Sequence, residues 1–145
     1  MSRSGYSYDV DGWQLIRWRG AVASAIRGKR GQAFLHEMLA ALDALPAKRL
    51  IDGDLERDGE VCAIGAVGRA RGLDMTDIDP YDRETVAAKF GLPHALVCEV
   101  AFVNDDDGWR HDTPEARYSR VREWVAGQLK KPAEAGKEKD DGNKE

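Results

Sequence analysis

The sequence predicts an all-α fold: a single compact domain of five or six helices with a disordered C-terminal tail. Three observations carry that reading. Apolar residues recur at spacings of three and four in successive segments. Proline and glycine stand at the segment ends, where helices start and stop. Only one short run, "AKRLI" at 47–51, reads as a strand.

Residues 1–11 are rich in Ser, Gly, Tyr and Asp without period, and are expected to form a flexible arm. The helical domain then spans 12–131. A first helix from Trp13 to Arg27 carries the stripe Leu15, Trp18, Val22 and Ile26, with Arg17, Arg19 and Arg27 off it. "GKRG", Gly28–Gly31, interrupts, because two glycines within four residues disfavour continued helix. A second helix from Gln32 to Leu45 has the clearest period, at Leu35, Met38, Leu39, Leu42 and Leu45, and Pro46 ends it.

The acidic turn "DGDLERDGE" (52–60) leads into "VCAIGAVGRARG" (61–72), read as a helix whose Gly65 and Gly68 allow close packing. Asp79 is the expected N-cap of a fourth helix, with Pro80 at its first position and Gly91 as its stop. Pro93 opens a fifth, so apolar at Leu96, Val97, Val100 and Val103 that it should be central; "NDDDG" (104–108) ends it. Thr113 caps a last helix, with Pro114 and Glu115 in its first turn and Tyr118, Val121, Val125 and Leu129 along its stripe. The charged tail, 132–145, has no large apolar residue.

The chain has 145 residues, a net charge of -4 and two cysteines. That length suits one domain with its own core. A net negative chain is no polycation, so any nucleic-acid site would be a local patch. Cys62 and Cys98 form no CxxC pair and read as reduced thiols of a cytoplasmic protein. No run reaches the roughly 20 apolar residues of a membrane span, and the first residues lack a signal-peptide core.

The candidate binding site is basic. Between residues 13 and 51 stand Arg17, Arg19, Arg27, Lys29, Arg30, Lys48 and Arg49, against only Glu37 and Asp43. "I-x-G-x-x-G-x-x-F", Ile26 to Phe34, matches the helix–GxxG–helix element whose loop clamps a nucleic-acid backbone in KH domains. The flanking strands of that fold are missing, and a solvated helix corner is the plainer reading. "ETVAAKFGLPHALVCEV" (84–100) has the apolar pair, turn glycine and anchor of a helix-turn-helix. Its second helix offers His94, Glu99 and Asn104 but no Lys or Arg for DNA.

Other chemistries fail on spacing. His94 and Cys98 are four apart and would need Cys62 and His111 from elsewhere to complete a zinc tetrahedron, so no metal is expected. In "DLERDGE" the bidentate Glu of an EF-hand would fall on Gly65. A P-loop would need glycine at Ala23 and Ser or Thr at Arg30. No catalytic constellation is complete, so a non-enzyme without cofactor is expected. Trp13, Trp18, Trp109 and Trp124 are candidate protein-binding anchors, with Trp18 placed in the core by its stripe.

"LIRWRGAVASAIRGKRGQAFLHEMLAALDALPAKRLI", "DGEVCAIGAVGRARGLDM" and "ETVAAKFGLPHAL" together resemble a family of small proteins of tailed bacteriophages and prophages. The resemblance covers most of residues 1–129 and leaves out the tail. That family has no assigned activity, so the resemblance implies context only: an accessory protein in a bacterial cytoplasm. The expectation is a protein that acts by binding a host or phage protein, as a host-modulating or anti-defence factor, and that carries opposed charged faces. One face follows Arg17, Arg27, Lys29, Arg30 and Arg49; the other follows Asp52–Glu60 and Asp105–Asp107. The alternative is nucleic-acid binding at the Gly28–Gly31 corner; a homodimeric scaffold is a third reading.

Overall fold

The most apolar run of the chain becomes a helix on which four of the other five pack. In a computed structural model describing residues 2–7, 11–108 and 112–130, six helices and one small hairpin bear out the all-α reading. They are α1 (Gly12–Arg27), α2 (Lys29–Ala44), β1 (Glu56–Arg57), β2 (Glu60–Val61), α3 (Ala63–Arg71), α4 (Arg83–Phe90), α5 (His94–Asp105) and α6 (Pro114–Gln128). α5 buries Leu96, Val97, Val100 and Val103 and touches α1, α3, α4 and α6. α2 buries Phe34, Leu35, Met38 and Leu42 against α3 and α6. Among the described residues no single helix is long and apolar enough to cross a membrane.

Local chemistry explains the ends. Thr113 Oγ1 accepts the Ala116 N–H at 3.0 Å, with Pro114 in the first turn of α6. Gly91 closes α4 at φ 71°, where a side chain would be strained, and the chain turns 108° into α5. In α3 the close packing is literal: a Cβ on Gly65 would lie 1.9 Å from the Leu55 carbonyl oxygen.

Five expectations are corrected. "KRLI" is not a strand; the hairpin forms inside the acidic turn, where Asp58 (φ 54°) and Gly59 (φ 81°) make the two-residue turn. The extended 50–51 stretch is instead tied by Ile51 N–H to the Val61 carbonyl (2.9 Å) and by Leu50 N–H to the Pro114 carbonyl (3.1 Å). α4 starts after Asp82, not Asp79. Asp79 spends its carboxylate on the Tyr81 N–H, whereas Asp82 accepts both the N–H and hydroxyl of Thr85. α2 begins at Lys29, so "GKRG" is a single-residue break at Gly28 rather than a loop.

The arm is no loose appendage where it is described. Arg3 is 2 % exposed; its guanidinium makes two bonds to the Asp105 carboxylate (2.6 and 2.9 Å) and one to the Cys62 sulfur at 3.3 Å. The fifth correction concerns α1. Its capping box is complete, with Asp11 and Gln14 bonding reciprocally, yet none of its residues is fully buried. Trp18, Val22 and Ile26 are half-buried, and Leu15 is exposed. The expected flexible stretch at residues 8–10, Trp109, His111 and the tail from 132 lie outside the described residues.

Candidate binding surface

A cleft of about 1310 Å³ opens between the arm (residues 2–7), the inner side of α1, and α5. Its floor is aromatic. Tyr6 meets Trp18 edge-on with ring centres 5.7 Å apart and Phe102 at 5.1 Å, and Trp18 meets His94 at 6.3 Å. Tyr6 Oη donates to Glu99 Oε1 at 2.6 Å, and His94 Nε2 lies 3.7 Å from Cys98 Sγ. Burial, then the bond to Glu99, pushes the Tyr6 hydroxyl well above the ordinary tyrosine value. Burial pushes the Cys98 thiol up to about 11, against the pull of the Arg83 charge and with the push of Glu99.

That geometry argues against thiol chemistry. A thiol titrating near 11 is protonated at neutral pH and is no nucleophile. Cys62 is elsewhere, capping α3 by accepting the Gly65 N–H at 3.3 Å. Arg3, which touches Cys62, holds Asp105, about 10 Å along α5 from Cys98 at 1.5 Å per residue. No three metal-ligating side chains come together among the described residues. Of the would-be DNA-reading residues, Asn104 is wholly buried, accepting from the Ala63 N–H and donating to the Ile51 carbonyl. Glu99 is taken by Tyr6.

The basic residues do not form one patch. Lys48 and Arg49 follow the C-terminal end of α2, whose 16 residues span about 24 Å from Lys29. Lys48 Nζ donates to the Asp43 and Leu45 carbonyls (2.6 and 2.8 Å), and Arg49 grips Glu60 with two bonds (2.9 and 2.8 Å). Arg17, Arg19, Arg27, Lys29 and Arg30 occupy exposed positions of α1 and the first turn of α2, with Arg17 and Arg19 on opposite sides of α1. Of these Arg30 donates to the Gly91 carbonyl at 3.0 Å, closing α4 from outside.

Ion pairing separates the arginines into two groups. Arg3, Arg49, Arg57, Arg69, Arg71, Arg117, Arg120 and Arg122 each hold a carboxylate. Arg17, Arg19, Arg27, Arg30 and Arg83 hold none among the described residues, and all five stand on or beside α1 and its cleft. Residues 12–36 contain no Asp or Glu at all. The expected acidic face at Asp52–Glu60 is largely neutralised, with Asp54, Glu56 and Glu60 paired to Arg57, Arg69 and Arg49. Asp105 is likewise consumed by Arg3. Among the described residues Asp74, Asp77, Asp79, Asp82 and Glu84 form no ion pair, so Asp74–Glu84 is an acidic segment without arginine partners.

The large apolar side chains most exposed are also on α1: Trp13 at 75 % and Ile16 at 62 %. Leu15 (39 %) joins them, and Tyr81 (48 %) lies in the acidic segment. Exposed Trp beside unpaired Arg is the usual composition of a protein-binding hot spot. Of the "GKRG" glycines, Gly31 serves packing instead. A Cβ on Gly31 would stand 1.8 Å from the Ala25 carbonyl oxygen, so Gly31 is what lets α2 leave α1 so closely. Lys29 and Arg30 are helical, which removes the open GxxG loop of the KH reading. Comparison of the chain with protein-family models, curated proteins and solved structures finds no match.

Proposed function

We propose that this protein is a non-enzymatic binding protein that docks a host or phage protein on the exposed side of α1, acting as a phage or prophage accessory factor in the bacterial cytoplasm. One observation carries the docking surface. Among the described residues, the exposed Trp13 and Ile16 share α1 with arginines that have no carboxylate partner, whereas the arginines away from α1 and its cleft are each paired. The phage setting rests on the sequence resemblance alone. The test is co-purification from the bacterial host using the full chain and a Trp13→Ala/Ile16→Asp variant. A stoichiometric partner retained by the parent and lost by the variant, at unchanged helical circular dichroism, supports the reading. Identical recovery by both proteins, or no partner, refutes it.

The same unpaired guanidinium groups favour nucleic acid as the second reading. It requires affinity that falls steeply between about 50 and 200 mM salt, because each neutralised phosphate releases counterions. Titration with labelled single- and double-stranded DNA and RNA decides it, with Lys29→Glu/Arg30→Glu as the control variant. The exposed Trp13 and Ile16 argue for protein, since phosphate contacts make no use of apolar side chains.

A further inference from the structure

Resting on that reading, we infer that the partner presents an acidic amphipathic helix of about four turns, lying along the outer side of α1. Positions 13, 16, 17, 20, 24 and 27 fall on one side of α1 at 100° per residue, and all six are exposed. They present Trp13 and Ile16 at one end, Gly20 and Ser24 in the middle, and Arg17 and Arg27 near either end. Nothing lies within 4 Å of where a Gly20 Cβ would be, so a second helix has room to approach there.

The charge selects the partner. Over Gly12–His36 every charged side chain is basic, and Arg17 and Arg27 have no counter-ion among the described residues. An α1-to-α1 pairing of two copies would set arginine against arginine, and like charges across an interface are costly. Carboxylates on the incoming segment remove that penalty, and apolar residues at helical spacing cover Trp13 and Ile16. An extended peptide lacks a template, because the sheet consists of two short paired strands away from α1. From Trp13 to Arg27 the side runs about 21 Å, which sets the four turns.

The probe is a fluorescein-labelled 18-residue peptide with Leu at three–four spacing and Glu elsewhere, titrated into the full-length protein by anisotropy. Three comparison ligands accompany it: the same peptide with Lys for Glu, a scrambled Glu/Leu peptide without helical period, and a 16-bp DNA duplex. The expected result is binding of the amphipathic Glu peptide, at least tenfold weaker binding of the scrambled one, and none of the Lys form. Arg17→Glu/Arg27→Glu and, separately, Trp13→Ala/Ile16→Ala should each lower the affinity at least tenfold with circular dichroism unchanged.

No binding up to about 100 μM, or equal binding of the Lys or scrambled peptide, overturns the inference. A duplex that binds more tightly than the peptide and is released by the same arginine reversals hands the surface to nucleic acid. Sedimentation of the protein alone covers the remaining occupant. Self-association abolished by Arg17→Glu/Arg27→Glu would assign the side to a second copy's acidic Asp74–Glu84 segment and would also overturn it. The docking reading fails separately. A co-purified partner whose segment crosslinked to position 16 is not acidic sinks this inference alone, whereas absence of any partner in co-purification sinks the docking reading whatever the peptide does.

Discussion

Replacing Gly31 with alanine tests what the glycines of the first helix corner do. The added Cβ would sit 1.8 Å from the Ala25 carbonyl oxygen and 2.9 Å from its carbon, both backbone atoms. No rotamer relieves that overlap. To restore even 3.0 Å the end of α1 and the start of α2 must part by roughly 1.2 Å, the difference of the two distances. The movement strains the two bonds from Gln32 Nε2 to the Ile26 and Gln128 carbonyls (2.8 and 3.0 Å). It also loosens the end of α1, where Ile26 packs on the core, from α5. Overpacking of a tight site destabilises by about 1–3 kcal/mol, and a clash with backbone belongs at the upper end, about 3 kcal/mol. Gly28→Ala is the internal control. Gly28 has φ -69°, and its Cβ would meet only the Ser24 oxygen at 3.3 Å, so the change should stay within about 1 kcal/mol. Urea unfolding followed by far-ultraviolet circular dichroism measures both. If Gly31→Ala unfolds within about 0.5 kcal/mol of the parent, or Gly28→Ala is the worse of the two, the steric account of this corner is wrong.

Three further outcomes are expected. Arg3→Met leaves the nearly buried Asp105 carboxylate without its bidentate partner. It should lose about 3 kcal/mol in urea unfolding, the lower end for breaking a buried pair, because Gly53 N–H and Asn104 Nδ2 still donate to it (3.3 and 2.8 Å). Arg120, with Arg117 behind it, holds the Asp112 carboxylate below its usual range. A depressed folded value means that its stabilisation is complete above the unfolded pKa of about 3.9 and disappears as pH falls through the folded one. The stability gap between the parent and Asp112→Asn should therefore be widest near neutrality and narrow below pH about 4; a gap that is constant or widens in acid contradicts the assignment. At pH 8 a Cys98 thiol titrating near 11 carries roughly 200-fold less thiolate than a free cysteine. Iodoacetamide labelling of Cys98 should be at least 100-fold slower than in urea, and unfolded-like rates in the native protein would show the thiol to be open.

The helices were readable where burial is one-sided and continuous. The α2 stripe Leu35, Met38, Leu42 and the α5 run Leu96–Val103 face the core as their spacing demands. Thr113-Pro114 begins α6 because cap and proline agree. Reading failed where two local signals compete or where the partner is distant in sequence. Asp79-Pro80 and Asp82 both look like helix starts, and the choice depends on which aspartate bonds Tyr81 and which bonds Thr85. Asp58-Gly59 is a strong turn signal, but the strands it joins are two residues each and lack alternation. The binding surface was half legible. A cluster of Lys and Arg can be counted along a chain, but whether each charge is already answered depends on contacts such as Arg49 with Glu60 and Arg3 with Asp105. That pairing, rather than the count, separates α1 from the other basic positions. Trp13 was among the candidate anchors; Ile16 and Arg83 were not, because nothing in a helical stripe says that its opposite side will stay uncovered.

The bond between Arg3 and Asp105 joins positions 102 residues apart. During synthesis the arm is therefore made well before it can be seated, since its socket does not exist until α5 has been made. For that whole interval the arm has nothing to hold, and α1, which buries no residue fully even in the finished fold, lacks the α5 surface it packs on. The helix that carries Trp13, Ile16 and arginines with no carboxylate among the described residues is thus made before α5 and secured only once α5 has formed.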